Sequence, residues 1–351
     1  MYREELLDTI RTICEPGKGI LAADESPATI GKRFAGVGVE NTHENRKTYR
    51  ELLFNTPCLW NHISGVITYE ETLFDLDSTG DKLIQPLLDA SIMVGVKVDK
   101  GVKPLYFTND ETVTQGLDDL DVRCRKYYDM GVRFAKWRAV LKIDVEKNLP
   151  SDLSIHENAV TLARYASICI NNGLVPIVEP EILMDGTHTV QQACDAAIRV
   201  LSVVYSEMIR HNVDVECTLL KPNMVRPGVS SNSEPDNIAI ARYTIDAFQR
   251  TVPVNMPGIV FLSGGMSEIE ASMALNEINK YEAVKPWRLT FSYGRALQAS
   301  VLDMWKGKPE NVAAAQMVLL KRAQANGLAS NGKYVNETGD DKSLHVTDYV
   351  Y

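Results

Sequence analysis

Charged residues stand at several positions in this sequence where apolar strands would be expected. In "TLLKPNM" the run Thr218, Leu219, Leu220 leads into Lys221, and Pro222 ends it. Burying an ammonium group is costly because it loses hydration. "VRFAKWRAVLKI" carries Lys136 and Arg138, "LVPIVEPEI" carries Glu179 and Glu181, "IMVGVKVD" carries Lys97, and "GILAAD" ends in Asp24. The i, i+2 spacing of Lys136 with Arg138, and of Glu179 with Glu181, puts each pair on one face of its strand. One charged residue at a strand end is ordinarily a solvated loop residue. Its repetition at most strand ends, with complementary signs, points to a site, the alternative being a structural network of ion pairs.

A lysine among apolar and cationic neighbours has a lowered pKa and becomes a nucleophilic amine. Such an amine condenses with a ketone to a Schiff base, whose iminium is an electron sink for carbon–carbon cleavage. Dehydration of the carbinolamine needs a proton donor, and Glu179 or Glu181 could supply it. This chemistry needs no cofactor. The six histidines, at 43, 62, 156, 188, 211 and 345, show no metal-ligand spacing, and no metal site is expected. Two glycine-bearing stretches suggest a phosphate: "SGG" with Ser263, Gly264 and Gly265, and "SYGR" with Ser292, Gly294 and Arg295. Glycines let backbone N–H groups approach an anion, and a helix N-terminus favours it. Lys97, Arg33 and Lys32 could hold a second phosphate across the mouth.

These residues need a scaffold that brings strand ends together. Strands are expected at 19–24, 62–69, 92–99, 132–143, 174–182, 215–222, 258–265 and 288–294. Their spacing leaves room for a helix after each, the mark of parallel βα units. Helices are expected at 115–130, 154–172, 189–212, 235–250 and 309–326, with another opened by "YGRA". Capping boxes are expected at Ser154 with Glu157 and at Ser267 with Glu270. Eight such units without a linker indicate a (β/α)8 TIM barrel, with an N-terminal helical extension. A doubly wound open sheet is the weaker alternative, because no G-x-G-x-x-G follows the first strand. The division expected is one barrel over 1–330 and a mobile, polar C-terminal tail over 331–351.

Composition narrows the function classes. The chain has 351 residues, 45% hydrophobic and 24% charged, with net charge −9, which argues against a nucleic-acid binder. The six cysteines form no C-x-x-C pair and read as buried free thiols of a reducing compartment. The start "MYREELLDTI" is too charged for a signal peptide, and no apolar run is long enough to span a bilayer. A cytoplasmic protein without membrane insertion is expected.

"GILAADES", "GVKVDKGV", "FAKWRAVLKI", "ARYASIC", "VPIVEPEIL", "TLLKPNM", "FLSGGMSE" and "LTFSYGRALQAS" together resemble class I fructose-1,6-bisphosphate aldolases, from about residue 5 onward. The resemblance implies a metal-independent glycolytic lyase acting on a phosphorylated sugar. It implies Lys221 as the Schiff-base lysine, Glu179 as general acid/base, and Asp24 and Lys136 as aids to the carbinolamine and bond-breaking steps. Arg138, Glu181 and Lys97 would line the mouth. Ser263, Gly264, Gly265, Ser292, Gly294 and Arg295 would cradle the 1-phosphate, Arg33 and Ser26 the 6-phosphate side. Tyr351 would exchange a proton. A homotetramer is implied, and a cytoskeletal or adhesin-tail partner stays open. A transaldolase-type lyase would use the same amine chemistry, but cations at both ends of the site favour a bisphosphate. A non-catalytic scaffold would not keep Lys221, Glu179 and Asp24. Pro27 and Ala28 depart from the vertebrate pattern and suggest a stiffer backbone at the 6-phosphate side.

Overall fold

The computed structural model describes residues 2–77, 79–233, 236–335 and 341–344. Among these, eight parallel strands close into a barrel: β1 (Gly19–Ala23), β2 (Ile63–Thr68), β3 (Met93–Lys97), β4 (Phe134–Leu141), β5 (Val175–Ile182), β6 (Leu219–Leu220), β7 (Gly258–Phe261) and β8 (Arg288–Tyr293). Each strand pairs with its neighbour in sequence, and β8 closes on β1. This is the (β/α)8 arrangement that the strand spacing implied.

Alternation along each strand divides the interior by height. On β4, Phe134 faces inward low in the barrel, and Lys136 and Arg138 follow on the same face. Trp137 points outward and packs on Tyr165, with ring centroids 5.4 Å apart. On β5 the inward series is Val175, Ile177, Glu179, Glu181. The low positions form one apolar cluster with Ile20, Ile67, Leu219 and Val260. The N-terminal helix (Arg3–Ile13) stoppers this end by burying Leu6, Ile10 and Ile13 in the same cluster. Each fully buried side chain of this size contributes about 1.5–3 kcal/mol. Gly95 makes room for the Phe134 ring, which a Cβ there would meet at 2.2 Å. The low inward positions of the barrel are thus apolar, and the inward-facing charges of β4 and β5 lie toward the C-terminal end.

Several boundaries differ from expectation. The strand expected over 215–222 is short, because Asp214 caps a 3-10 turn at Val215–Cys217 and leaves only Leu219–Leu220 paired. Lys221 still continues the strand direction, donating its N–H to Val178 O at 2.8 Å. The helix expected from 115 begins at Leu120, since Thr112–Thr114 pair with Val102–Pro104 in a hairpin. The capping box expected at Ser154 does not form. Ser151 caps that helix (Asp152–Asn171), accepting from Ser154 N, so Ser154 lies in the first turn. The box at Ser267 and Glu270 does form, and one at Thr189 and Gln192 was not foreseen.

Four cysteines are buried and Cys14 partly so, but Cys58 is exposed, contrary to expectation. No helix among the described residues is long and apolar enough to cross a membrane. Of the tail, Tyr334 N donates to Asn276 Oδ1, and Asp341 accepts from Ile269 N at the start of the helix Glu268–Lys280. Residues 336–340 and 345–351, including Tyr351, lie outside the described residues, as do Glu234 and Pro235 of "SSNSEPDN".

Candidate active site

The C-terminal ends of the strands bring Lys221, Glu179, Lys136 and Asp24 into one chain of contacts. Asp24 Oδ2 lies 3.1 Å from Lys136 Nζ. Lys136 Nζ lies 2.8 Å from Glu179 Oε2, and Glu179 Oε1 lies 3.3 Å from Lys221 Nζ. The contact to Oε2 is an ion pair by distance but is off the hydrogen-bond direction, since Oε2 is buried without a hydrogen-bond partner. That oxygen therefore has a lone pair to offer. Lys136, Glu179 and Lys221 are all buried and Asp24 nearly so.

Burial and neighbouring charge push the two lysines apart in acidity. Burial drives the Lys221 pKa down and Lys136 adds to the fall, while Glu179 and Asp24 oppose it. Burial also disfavours the charge of Lys136, but Asp24 and Glu179 outweigh it and hold that pKa above the ordinary lysine value. For Asp24 burial favours the neutral acid, yet Lys136, Lys221 and Lys97 together hold it well below the usual carboxylate range. The result is a Lys136 held toward its ammonium form beside a Lys221 shifted toward the free amine.

The flanks of the mouth carry the other residues. Arg138 Nη1 donates to Glu181 Oε2 at 3.1 Å, a diagonal contact, since the register of β4 on β5 puts Arg138 opposite Glu179 and Val140 opposite Glu181. Lys97 pairs with Asp99 at 2.8 Å. Ser26 caps the helix Pro27–Ala35, and Arg33 on that helix pairs with buried Glu25. Pro27 sits at the first helical position, where its missing N–H costs nothing and its fixed φ suits the helix. Ser263, Gly264, Ser292, Gly294 and Arg295 line the same mouth as Lys221. Gly264 and Gly265 have φ of +53° and +86°, the left-handed region that glycine tolerates. Gly294 N-caps the helix Arg295–Trp305, and a Cβ there would meet Ala22 O at 3.1 Å. Ser292 Oγ is buried with no partner. Lys97, Lys32, Ser26 and Arg33 line an adjoining cleft of about 450 Å³ that shares Asp24, Lys136, Arg138 and Arg295.

The described candidate site residues thus fall at this mouth or, for Lys97, Lys32 and Ser26, in the adjoining cleft, with Gly265 next to the mouth. Sequence reasoning missed Glu25 and Asp99, which hold Arg33 and Lys97. Asp99 was legible: it stands two residues after Lys97 and so shares its face. Ser343 and Leu344, which line the adjoining cleft, were not.

The sequence model of the family described as fructose-bisphosphate aldolase class-I matches residues 5–351. The chain belongs to the class-I fructose-bisphosphate aldolase family. It is 54% identical over 351 residues to cytosolic fructose-bisphosphate aldolase 4 of Arabidopsis thaliana, covering 99% of this chain and 89% of that one. It is 53% identical over 354 residues to the fructose-bisphosphate aldolase of Dictyostelium discoideum, covering 100% and 99%. A solved structure of Plasmodium falciparum aldolase, in complex with TRAP and a small-molecule inhibitor, superposes with a TM-score of 0.94 at 53% identity, covering 95% of this chain and 96% of that one. The chain is a carbon–carbon lyase. It cleaves fructose 1,6-bisphosphate reversibly to dihydroxyacetone phosphate and glyceraldehyde 3-phosphate, in glycolysis and gluconeogenesis, through a lysine Schiff base.

Proposed function

We propose that Lys221 is the Schiff-base lysine of this aldolase and that Glu179 carries protons for it. The observation that carries the reading is the series Asp24, Lys136, Glu179, Lys221 at contact distance, with only Lys221 biased toward the free amine. The amine attacks the C2 carbonyl of the ketose. Glu179 protonates the carbinolamine hydroxyl, which leaves as water and yields the iminium. The iminium accepts the electron pair of the C3–C4 bond as the Glu179 carboxylate, left unprotonated by the dehydration, takes the proton of the C4 hydroxyl, and the aldehyde departs. Protonation of the enamine at C3, followed by hydrolysis, releases dihydroxyacetone phosphate and the amine. Lys136 stays charged throughout and stabilises the oxygen anions that form, and Asp24 fixes its place. Tyr351 brings the C3 proton.

Ser263, Gly264, Gly265, Ser292, Gly294 and Arg295 hold the 1-phosphate in this reading. Ser26, Arg33 and Lys97 hold the 6-phosphate end, and Arg138 with Glu181 borders the sugar. Residues 1–330 act as one catalytic unit and 331–351 as its tail. A homotetramer is proposed from family membership. A partner-binding role toward a cytoskeletal or adhesin tail is proposed from the likeness to the aldolase solved with TRAP. The relatives named cytosolic support a cytoplasmic location. The test is Lys221→Met, which fills similar volume without the amine. It should keep the fold and lose cleavage, and retained cleavage would defeat the assignment.

A further inference from the structure

Ser263 and Gly264 line two spaces. One is the mouth, with Arg295 and Lys221. The other is a small cavity of about 20 Å³ behind the loop, also lined by His188, Met184, Asn223 and Arg226. That volume holds about one water. Arg226 lies on the segment that leaves β6, five residues after Lys221. Its backbone is fixed on both sides, because Val225 N donates to Thr244 Oγ1 at 2.9 Å and Gly228 N donates to His188 O at 2.9 Å. Among the described residues its side chain makes no hydrogen bond or ion pair, and its Nε is buried without a partner.

We propose that Arg226 is a positioning residue for the substrate's 1-phosphate, acting through the Ser263–Gly264 loop from the face opposite Arg295. The inference rests on the reading of that loop as the 1-phosphate cradle. A partly buried guanidinium without a counter-ion is unfavourable in the empty protein. Burial pushes its pKa down more than the nearby charge of Glu270 raises it, and among the described residues no carboxylate is paired directly with the guanidinium. A phosphate dianion in the cradle would add negative charge on the other side of the guanidinium from its own backbone. The interaction crosses a small enclosed cavity rather than bulk solvent and is therefore less screened than a surface pair. His188 Nδ1 is also buried without a partner in this cavity, and burial holds the ring toward its neutral form. It adds no competing charge.

The test compares the native enzyme with Arg226→Met and Arg226→Lys. The inhibition constant of inorganic phosphate and the KM for fructose 1,6-bisphosphate should both rise about three- to tenfold in Arg226→Met, as for one charge acting at a distance. The kcat should change little, and Arg226→Lys should keep most of the affinity. Borohydride trapping with unphosphorylated dihydroxyacetone should be the same in all three. The ligand-free Tm of Arg226→Met should not fall, while its rise on adding phosphate should shrink. A structural role would instead lower the ligand-free Tm and leave phosphate affinity intact, which would overturn the proposal. If Arg226→Met does not fold, Arg226→Gln is measured in the same way. Failure of phosphate to compete in the native enzyme would overturn the cradle itself. Equal phosphate affinity in native and variant enzymes, with the native enzyme binding phosphate, would overturn only the part given to Arg226.

Discussion

Replacing Glu179 by Gln should separate the two tasks given to that carboxylate. Glu179 lies 3.3 Å from Lys221 Nζ and 2.8 Å from Lys136 Nζ. Lys136 keeps Asp24 at 3.1 Å after the change, but Lys221 loses its nearest counter-charge and still faces Lys136. An opposite charge at this range shifts a pKa by about 1–3 units. The already lowered Lys221 pKa should therefore fall further, by about 1–3 units for the lost carboxylate, a loss of about 1.4–4 kcal/mol in stabilisation of the ammonium. More free amine would then be present at lower pH, so the acid limb of Schiff-base formation should move down. Dehydration and cleavage would lose their proton carrier, at a cost of about 10²–10⁴-fold in rate. The assay is the pH dependence of borohydride trapping with dihydroxyacetone phosphate, beside single-turnover cleavage of fructose 1,6-bisphosphate. An acid limb that stays put or moves up, or an unchanged cleavage rate, would refute the reasoning.

Three other outcomes are expected. Arg295→Ala should weaken binding of the 1-phosphate by about 1.5–3 kcal/mol, or roughly ten- to a hundredfold, read as KM and as the inhibition constant of phosphate. A chain ending at Val350 should trap dihydroxyacetone phosphate at Lys221 as the full chain does, yet slow cleavage and solvent proton exchange; equal rates would remove Tyr351 from the mechanism. Lys221→Met should gain stability relative to the native enzyme at low pH. The native-state pKa of Lys221 is below its unfolded value of about 10.4, so the unfolded chain binds more protons between the two and native stability rises with pH across that window. The advantage of the variant in Tm should be largest below the folded pKa and shrink as pH rises through the window.

The strands that carry the site were legible because a charge inside an apolar run has few explanations. Phe134, Lys136 and Arg138 alternate with Ala135 and Trp137, and that period alone puts both cations on the inner face. The same holds for Val175, Ile177, Glu179 and Glu181. β6 was overestimated because Val215, Cys217, Leu219 and Leu220 look like one strand, while Asp214 turns Val215–Cys217 into a capped 3-10 turn. Capping chemistry beat β propensity there, as it did where Ser151 rather than Ser154 starts a helix. Arg33 and Lys97 were found as cations, but their carboxylates were passed over: Asp99 could have been found from its spacing to Lys97, while Glu25 pairs with Arg33 eight residues away through rotamers that spacing does not specify. Arg226 gave no signal at all. It sits in a loop, and only the cavity behind Ser263 and Gly264 gives it significance.

The central claim is that one lysine is the nucleophile among three at the mouth. The direct measurement is to incubate the native protein with dihydroxyacetone phosphate, reduce with borohydride, digest, and map the modified residue by mass. The label should lie on Lys221 alone, with activity lost in proportion to labelling. Lys136 should stay unlabelled because Asp24 and Glu179 keep it protonated, and Lys97 because it is paired with Asp99. A label on Lys136 or Lys97, or inactivation without any labelled lysine, would contradict the account.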